Sequence, residues 1–160
     1  MGKTLSKILK MRAMTKEDIQ AVQSIDNATF FDCWSQEAWL EEITNELAIY
    51  QVLLHNAQII GFAGFWLVAG EAQITKIAIA EEYRGYGMGQ QLLQNVLAII
   101  WQREAEAVTL EVRKSNHTAQ ELYKKNGFKV TGVRESYYAD NSEDALILWL
   151  YQKELGEKNE

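Results

Sequence analysis

The sequence predicts an α/β fold built on a mixed, mostly antiparallel sheet flanked by helices, and three observations predict it. Apolar residues recur at helical spacing in two early segments, form strand-like blocks between 47 and 79, and return to helical spacing after 88. The block Ile74 to Ile79 feeds a glycine cluster, Gly85, Gly87 and Gly89, which itself opens a helix-like stretch. The chain has 160 residues, 48% hydrophobic and 24% charged, with no proline and no repeat. That is one domain's worth of chain, residues 1–160, able to fill a core and without a linker.

Taken in order, Ile8 to Ala13 makes a first strand. Thr15, with Asp18 three positions on, reads as a helix N-cap before Ile19, Val22 and Ile25. Ser35 is a second N-cap, leading into Trp39, Leu40 and Ile43. The runs Ile49 to Leu53, Ile59 to Phe62 and Ile74 to Ile79, separated by turns near Asn56-Ala57 and Gly70-Glu71, make an antiparallel meander. Leu92, Leu93, Val96, Leu97 and Ile100 mark a long amphipathic helix after the glycines. Val108, Leu110 and Val112 alternate with Thr109, Glu111 and Arg113, the period of a strand with one buried face. Ser115 or Asn116 caps a further helix ending at Asn126-Gly127, and Phe128 to Val133 and Asp144 to Leu150 are the last strands. The predicted order is β-α-α-β-β-β-α-β-α-β-β.

The longest apolar candidate, Ile59 to Val68, is too short for a membrane span and is broken by Gly61 and Gly64. One cysteine, Cys33, forms no internal disulfide, and the opening residues lack the pattern of a secretory signal, so the expected compartment is cytoplasmic. His55 and His117 have no Cys or His at ligand spacing, and no metal site is expected. The net charge of -6 resolves into blocks of +5 (1–16), -9 (17–75), +3 (76–134) and -5 (135–160). Such a division fits one region that holds an anion and another that draws a cation, and equally an ordinary uneven surface. Nucleic-acid binding has little support in a chain acidic overall.

The strand-turn-helix around Arg84-Gly85-Tyr86-Gly87-Met88-Gly89-Gln90 is the most informative stretch. Glycines there permit positive φ and close backbone approach, so N–H groups and the positive end of a helix dipole can face a phosphate. Gln90 stands where the Rossmann fingerprint needs glycine, and no Lys-Ser/Thr pair follows as in a P-loop. A structural turn remains the simpler alternative on this motif alone. The R-x-x-G-x-G pattern resembles the acetyl-CoA motif of the GNAT superfamily of N-acetyltransferases. Asn116, Ala119 and Leu122-Tyr123-Lys124-Lys125-Asn126-Gly127-Phe128 resemble that superfamily's second signature. Within it, Leu110 to Asn116 and Tyr137-Tyr138 with Glu143-Asp144-Ala145 resemble the ribosomal-protein-alanine N-acetyltransferases (RimI type). Where such proteins often carry proline, before the glycines and after the paired tyrosines, this chain has Glu81-Glu82 and Ala139.

The resemblance implies a GNAT fold and acetyl-CoA as cosubstrate. It places the backbone of Ile77, Ala78 and Ile79 along the pantetheine arm, one N–H there polarising the thioester carbonyl. It puts the pyrophosphate on Arg84, Gly85, Tyr86, Gly87, Met88, Gly89 and Gln90, with Asn116 nearby. It makes Glu111 the general base and Tyr123 the general acid. On alternation alone Glu111 is as readily an exposed carboxylate paired with Arg113 or a lysine, and without the motif a tyrosine placed like Tyr123 is more often core packing. The implied partner is the N-terminal peptide of a basic ribosomal protein, with Phe31, Trp34, Tyr137 and Tyr138 as walls in the acidic segments. An α-amine, with a pKa of roughly 7.7–8.0, is about a fifth to a third neutral near pH 7.4, whereas a lysine is neutral about one time in a thousand. N-terminal acetylation is therefore the less demanding chemistry. The rivals are a small-molecule amine or protein lysine as acceptor, and a non-catalytic acyl-CoA-binding module.

Overall fold

A computed structural model describes residues 9–158. Its elements are β1 (Leu9–Ala13), α1 (Ile19–Thr29), α2 (Gln36–Ile43), β2 (Ala48–His55), β3 (Gln58–Val68), β4 (Glu71–Ile79), α3 (Met88–Gln102), β5 (Ala107–Arg113), α4 (His117–Lys125), β6 (Lys129–Arg134), β7 (Ala145–Tyr151) and α5 (Gln152–Lys158). The seven strands form one sheet in the order β1-β2-β3-β4-β5-β7-β6. Only β4 and β5 pair in parallel. The predicted order of elements is present, with α5 added; Ile8 lies outside the described residues.

Helical spacing puts Ile19, Val22 and Ile25 of α1 and Trp39 of α2 into a core on one face of the sheet. Leu92, Leu93, Val96, Leu97 and Ile100 of α3, with Tyr123 of α4, fill the core on the other. Ser35 caps α2 as predicted, its hydroxyl accepting from the Ala38 N–H at 3.1 Å. The Thr15 turn works the other way round. The Asp18 carboxylate accepts from the Thr15 N–H at 2.8 Å and pairs with Arg12, and a 3-10 turn over Lys16–Asp18 precedes α1.

Two local features open the site. Strands β4 and β5 pair only over Glu71–Gln73 against Ala107–Thr109 and then part. At the same level β4 bulges: Phe65 faces Ile74 and Gly64 faces Lys76, leaving Thr75 as the extra residue. The bulge is tied down by the Thr75 hydroxyl, which donates to the Gly64 carbonyl at 3.1 Å and meets the Tyr50 phenol at 2.8 Å. It also turns Lys76 into the α1–α2 core while Ile74 stays in the core under α3. The Tyr50 ring packs against Gly64, where an added Cβ would collide with Cε1, Cδ1 and Cζ of Tyr50. Gly64→Ala is therefore expected to cost about 1–3 kcal/mol by overpacking, read as a lowered midpoint in urea. An unchanged midpoint would show that the ring moves freely and that the bulge is not rigidly packed.

Candidate active site

A cleft of about 740 Å³ lies where β4 and β5 part. Ile74 to Ile79 line one side and Leu110 to Arg113 the other. The glycine loop lies along it with Asn116 and Tyr123 of α4, and Phe31, Asp32 and Tyr138 complete the lining. A smaller hollow of about 340 Å³ adjoins it and shares Phe31, Asp32, Arg113 and Tyr138 with it.

Beyond Gln73 the β5-facing edge of β4 has no strand partner. The Ala80 N–H donates to the Ile60 carbonyl at 2.7 Å, so residue 80, and by alternation Ala78, turn their polar groups toward β3. The N–H groups of Ile77 and Ile79 then face the cleft. Of the three predicted cofactor positions here, alternation singles out these two as donors. The Ile79 carbonyl is taken by Arg84 Nε at 3.0 Å.

Gly85 and Gly87 adopt φ of +87° and +77°, the left-handed region, and a Cβ at either would meet nothing within 4 Å. Glycine is demanded there by backbone conformation, not by space. Gly87 is the N-cap of α3 and brings no side chain to its first turn, so the N–H groups of Met88, Gly89 and Gln90 are left for an external anion. Arg84 lines the cleft, and its side chain bonds the Ile79 carbonyl and reaches Thr29 Oγ1 at 3.4 Å, tying the loop to the strand end and α1. Gln90 exchanges two hydrogen bonds with Asn126, at 3.0 and 2.7 Å, and so links α3 to the end of α4. Tyr86 packs against the α3-side core and is not part of the cleft lining. Met88 is buried and lines it; Asn116 lines it too, while its side chain caps α4 by accepting from the Ala119 N–H at 3.1 Å.

Glu111 and Tyr123 both line the cleft, one from β5 and one from α4. The side chain of Glu111 is 17% exposed and accepts from Arg134 Nε at 3.0 Å. The partner is thus Arg134, reached across β7; Arg113 is engaged elsewhere, with Asp140 at 2.9 Å and Glu143 at 3.2 Å. Hydrogen bonding to Glu111, then burial, raises the Tyr137 phenol above its ordinary range. Tyr123 is 6% exposed, edge-on to Phe128 with centroids 5.6 Å apart, and burial raises its phenol well above the usual value. Tyr138 is pushed up to about 12, chiefly by burial, and the Arg113 guanidinium lies 3.9 Å from its ring centre.

The expected acceptor walls divide. Phe31 and Tyr138 line both cavities, and Tyr137 lines the hollow alone. Trp34 lines neither. It packs on Trp39, with centroids 4.7 Å apart, and covers the Lys76 ammonium at 4.2 Å.

The family model described as acetyltransferase (GNAT) matches residues 19–128, well over half of the chain. The chain belongs to the GNAT family. A Bacillus subtilis (strain 168) relative bearing the name "Putative ribosomal protein bS18-alanine N-acetyltransferase" is 41% identical over 141 residues, 88% of this chain and 93% of that protein. The ribosomal protein bS18-alanine N-acetyltransferase of Escherichia coli (strain K12) is 30% identical over 135 residues, 83% and 90% of the two chains. Among solved structures, the ribosomal-protein-S18-alanine N-acetyltransferase from Escherichia coli superposes with a TM-score of 0.84 at 28% identity, covering 90% of this chain and 94% of that one.

This GNAT chain carries three cleft features that periodicity did not reveal. Lys76 ends a stretch of 59 residues, 17–75, with no Lys or Arg, a signal that could have marked it. It is buried against Asp26 at 2.6 Å, with side chains 6% and 0% exposed. Asp32 lies in the α1–α2 loop beside the predicted Phe31, and Arg113 organises the loop between β6 and β7. Among the described residues no group of three or more His, Cys, Asp or Glu side chains is gathered to hold a metal, and no helix is long and apolar enough to cross a membrane.

Proposed function

We propose that this chain transfers the acetyl group of acetyl-CoA to the α-amino group of the N-terminal alanine of ribosomal protein bS18. One observation carries the reading: a single cleft runs from the uncapped first turn of α3, past Glu111 and Tyr123, to an aromatic and acidic mouth. The names of the 41% and 30% identical relatives point to the same acceptor.

The first turn of α3 and the positive-φ glycines hold the pyrophosphate by backbone N–H groups. The pantetheine arm runs along the free edge of β4, and the Ile77 or Ile79 N–H polarises the thioester carbonyl. The amine nitrogen bonds to the acetyl carbon while the carbon–sulfur bond breaks. Glu111 takes the amine proton, and Tyr123 gives its proton to the departing sulfur. Arg134 keeps the Glu111 carboxylate oriented, and the α-amine needs only a mild base because a sizeable fraction is already neutral near pH 7.4. Burial raises the Tyr123 phenol, so it stays protonated and able to donate near neutral pH.

The test is a comparison of acceptors. Incubated with acetyl-CoA, the protein is expected to acetylate a peptide bearing the bS18 N-terminus at its α-amine. It should leave an N-terminally blocked lysine peptide and small polyamines unmodified. Acetylation of only the latter two would overturn the assignment.

A further inference from the structure

We infer that the hollow beside the cleft is a subsite for a cationic side chain, lysine or arginine, of the acceptor peptide shortly after its acetylated residue, with Asp32 as the carboxylate that selects it. The inference rests on the peptide acceptor proposed above and concerns how that acceptor is chosen.

The hollow has two carboxylates, Asp32 and Asp140, and they are not equivalent. Asp140 is held by both oxygens on Arg113 Nη2, at 2.9 and 3.0 Å. Glu143 takes the other arm of the same guanidinium at 3.2 Å. None of the ion pairs among the described residues includes Asp32. The nearby ammonium of Lys76 does not neutralise it either. Lys76 is committed to Asp26 at 2.6 Å and reaches only the backbone carbonyl of Asp32, at 3.5 Å. That contact anchors the loop from beneath. Asp32 lines the hollow together with Tyr137 and Tyr138.

The walls suit a cation with an aliphatic stem. Phe31 is 69% exposed and Tyr137 48%, and the two tyrosine rings meet edge to face at 5.1 Å. Arg113 lies over the Tyr138 ring at 3.9 Å, so Phe31 and Tyr137 supply the free aromatic surface. Counting the charged groups that line it, the hollow is net negative, one guanidinium against two carboxylates. It shares four residues with the cleft, so an extended peptide seated in the cleft can continue into it.

The experiment uses three peptides that share an N-terminal alanine and differ only at positions two to four, which are lysine, norleucine or glutamate. Wild type and Asp32→Asn are assayed with each at saturating acetyl-CoA. Wild type should favour the lysine peptide over norleucine by about tenfold in kcat/KM, mainly through KM, and reject glutamate further. Asp32→Asn should reduce the lysine preference to about twofold or less. The preference is a ratio within one preparation, so a partly folded variant does not distort it. Equal KM for lysine and norleucine peptides in wild type, or a full preference surviving in Asp32→Asn, overturns the subsite. Absence of acetylation on all three overturns the peptide-acceptor reading and the subsite with it.

Discussion

Tyr123→Phe is expected to lower kcat by about 10²- to 10⁴-fold, the range in which a positioned acid acts, with KM for acetyl-CoA close to wild type. The hydroxyl is the only group lost. The ring is buried against Phe128, and phenylalanine fills the same space, so folding should be kept. A further signature separates proton donation from packing. If Tyr123 protonates the departing sulfur, the defect should shrink with an acetyl thioester of a more acidic thiol. The pH profile follows from the same environment. A phenol raised above its ordinary value of about 10 keeps its proton through that pH, so kcat should show no alkaline fall below about pH 10. On the acid side, kcat/KM should climb as the acceptor amine loses its proton near pH 8. A variant retaining kcat within about threefold of wild type would remove Tyr123 from the chemistry.

Asp26→Ala is expected to destabilise the fold by about 3–5 kcal/mol, the usual result of stranding a buried charge. Asp26 accepts from Lys76 Nζ, from the Trp34 N–H at 2.9 Å and from Trp39 Nε1 at 3.1 Å. All three donors lose their acceptor in the variant, and the ammonium is left among Phe30, Trp34 and Trp39. Pairing the change with Lys76→Met should recover much of the loss, because the charge and its desolvation cost go together. Urea unfolding of the two single variants and the double variant measures this directly. Additive losses, or a loss below about 1 kcal/mol for Asp26→Ala, would contradict the account of the pair.

Most of the fold was legible because its signals are local. Positive φ at Gly85 and Gly87, helical spacing from Leu92 to Ile100 and alternation from Val108 to Val112 each act within one element. The opening between β4 and β5 was not legible, since it depends on how far two strands distant in sequence remain paired. Nor does Ile74-Thr75-Lys76 announce its bulge; the cause is the glycine opposite, with Tyr50 over it. Helix α5 was missed because its described side chains include one apolar contact with the core, Leu155, too few for a periodic pattern. The family resemblance sets the early helices on the acceptor side, which makes Trp34 an expected wall. Which way an aromatic faces in a short loop is decided by its partners, here Trp39 and Lys76. The contacts of Arg84 were not legible either, because its side chain reaches Thr29, which lies far away in sequence, as well as the Ile79 carbonyl.

The function proposed for the cleft between β4 and β5 is acetylation of the N-terminal alanine of bS18. The most direct measurement is the intact and fragment mass of purified, unacetylated bS18 after incubation with this protein and acetyl-CoA. The expected result is a gain of one acetyl group, located on the α-amine of the first residue and lost when Tyr123→Phe replaces the wild type. An unmodified N-terminus, or an acetyl group found on lysine side chains instead, would contradict it.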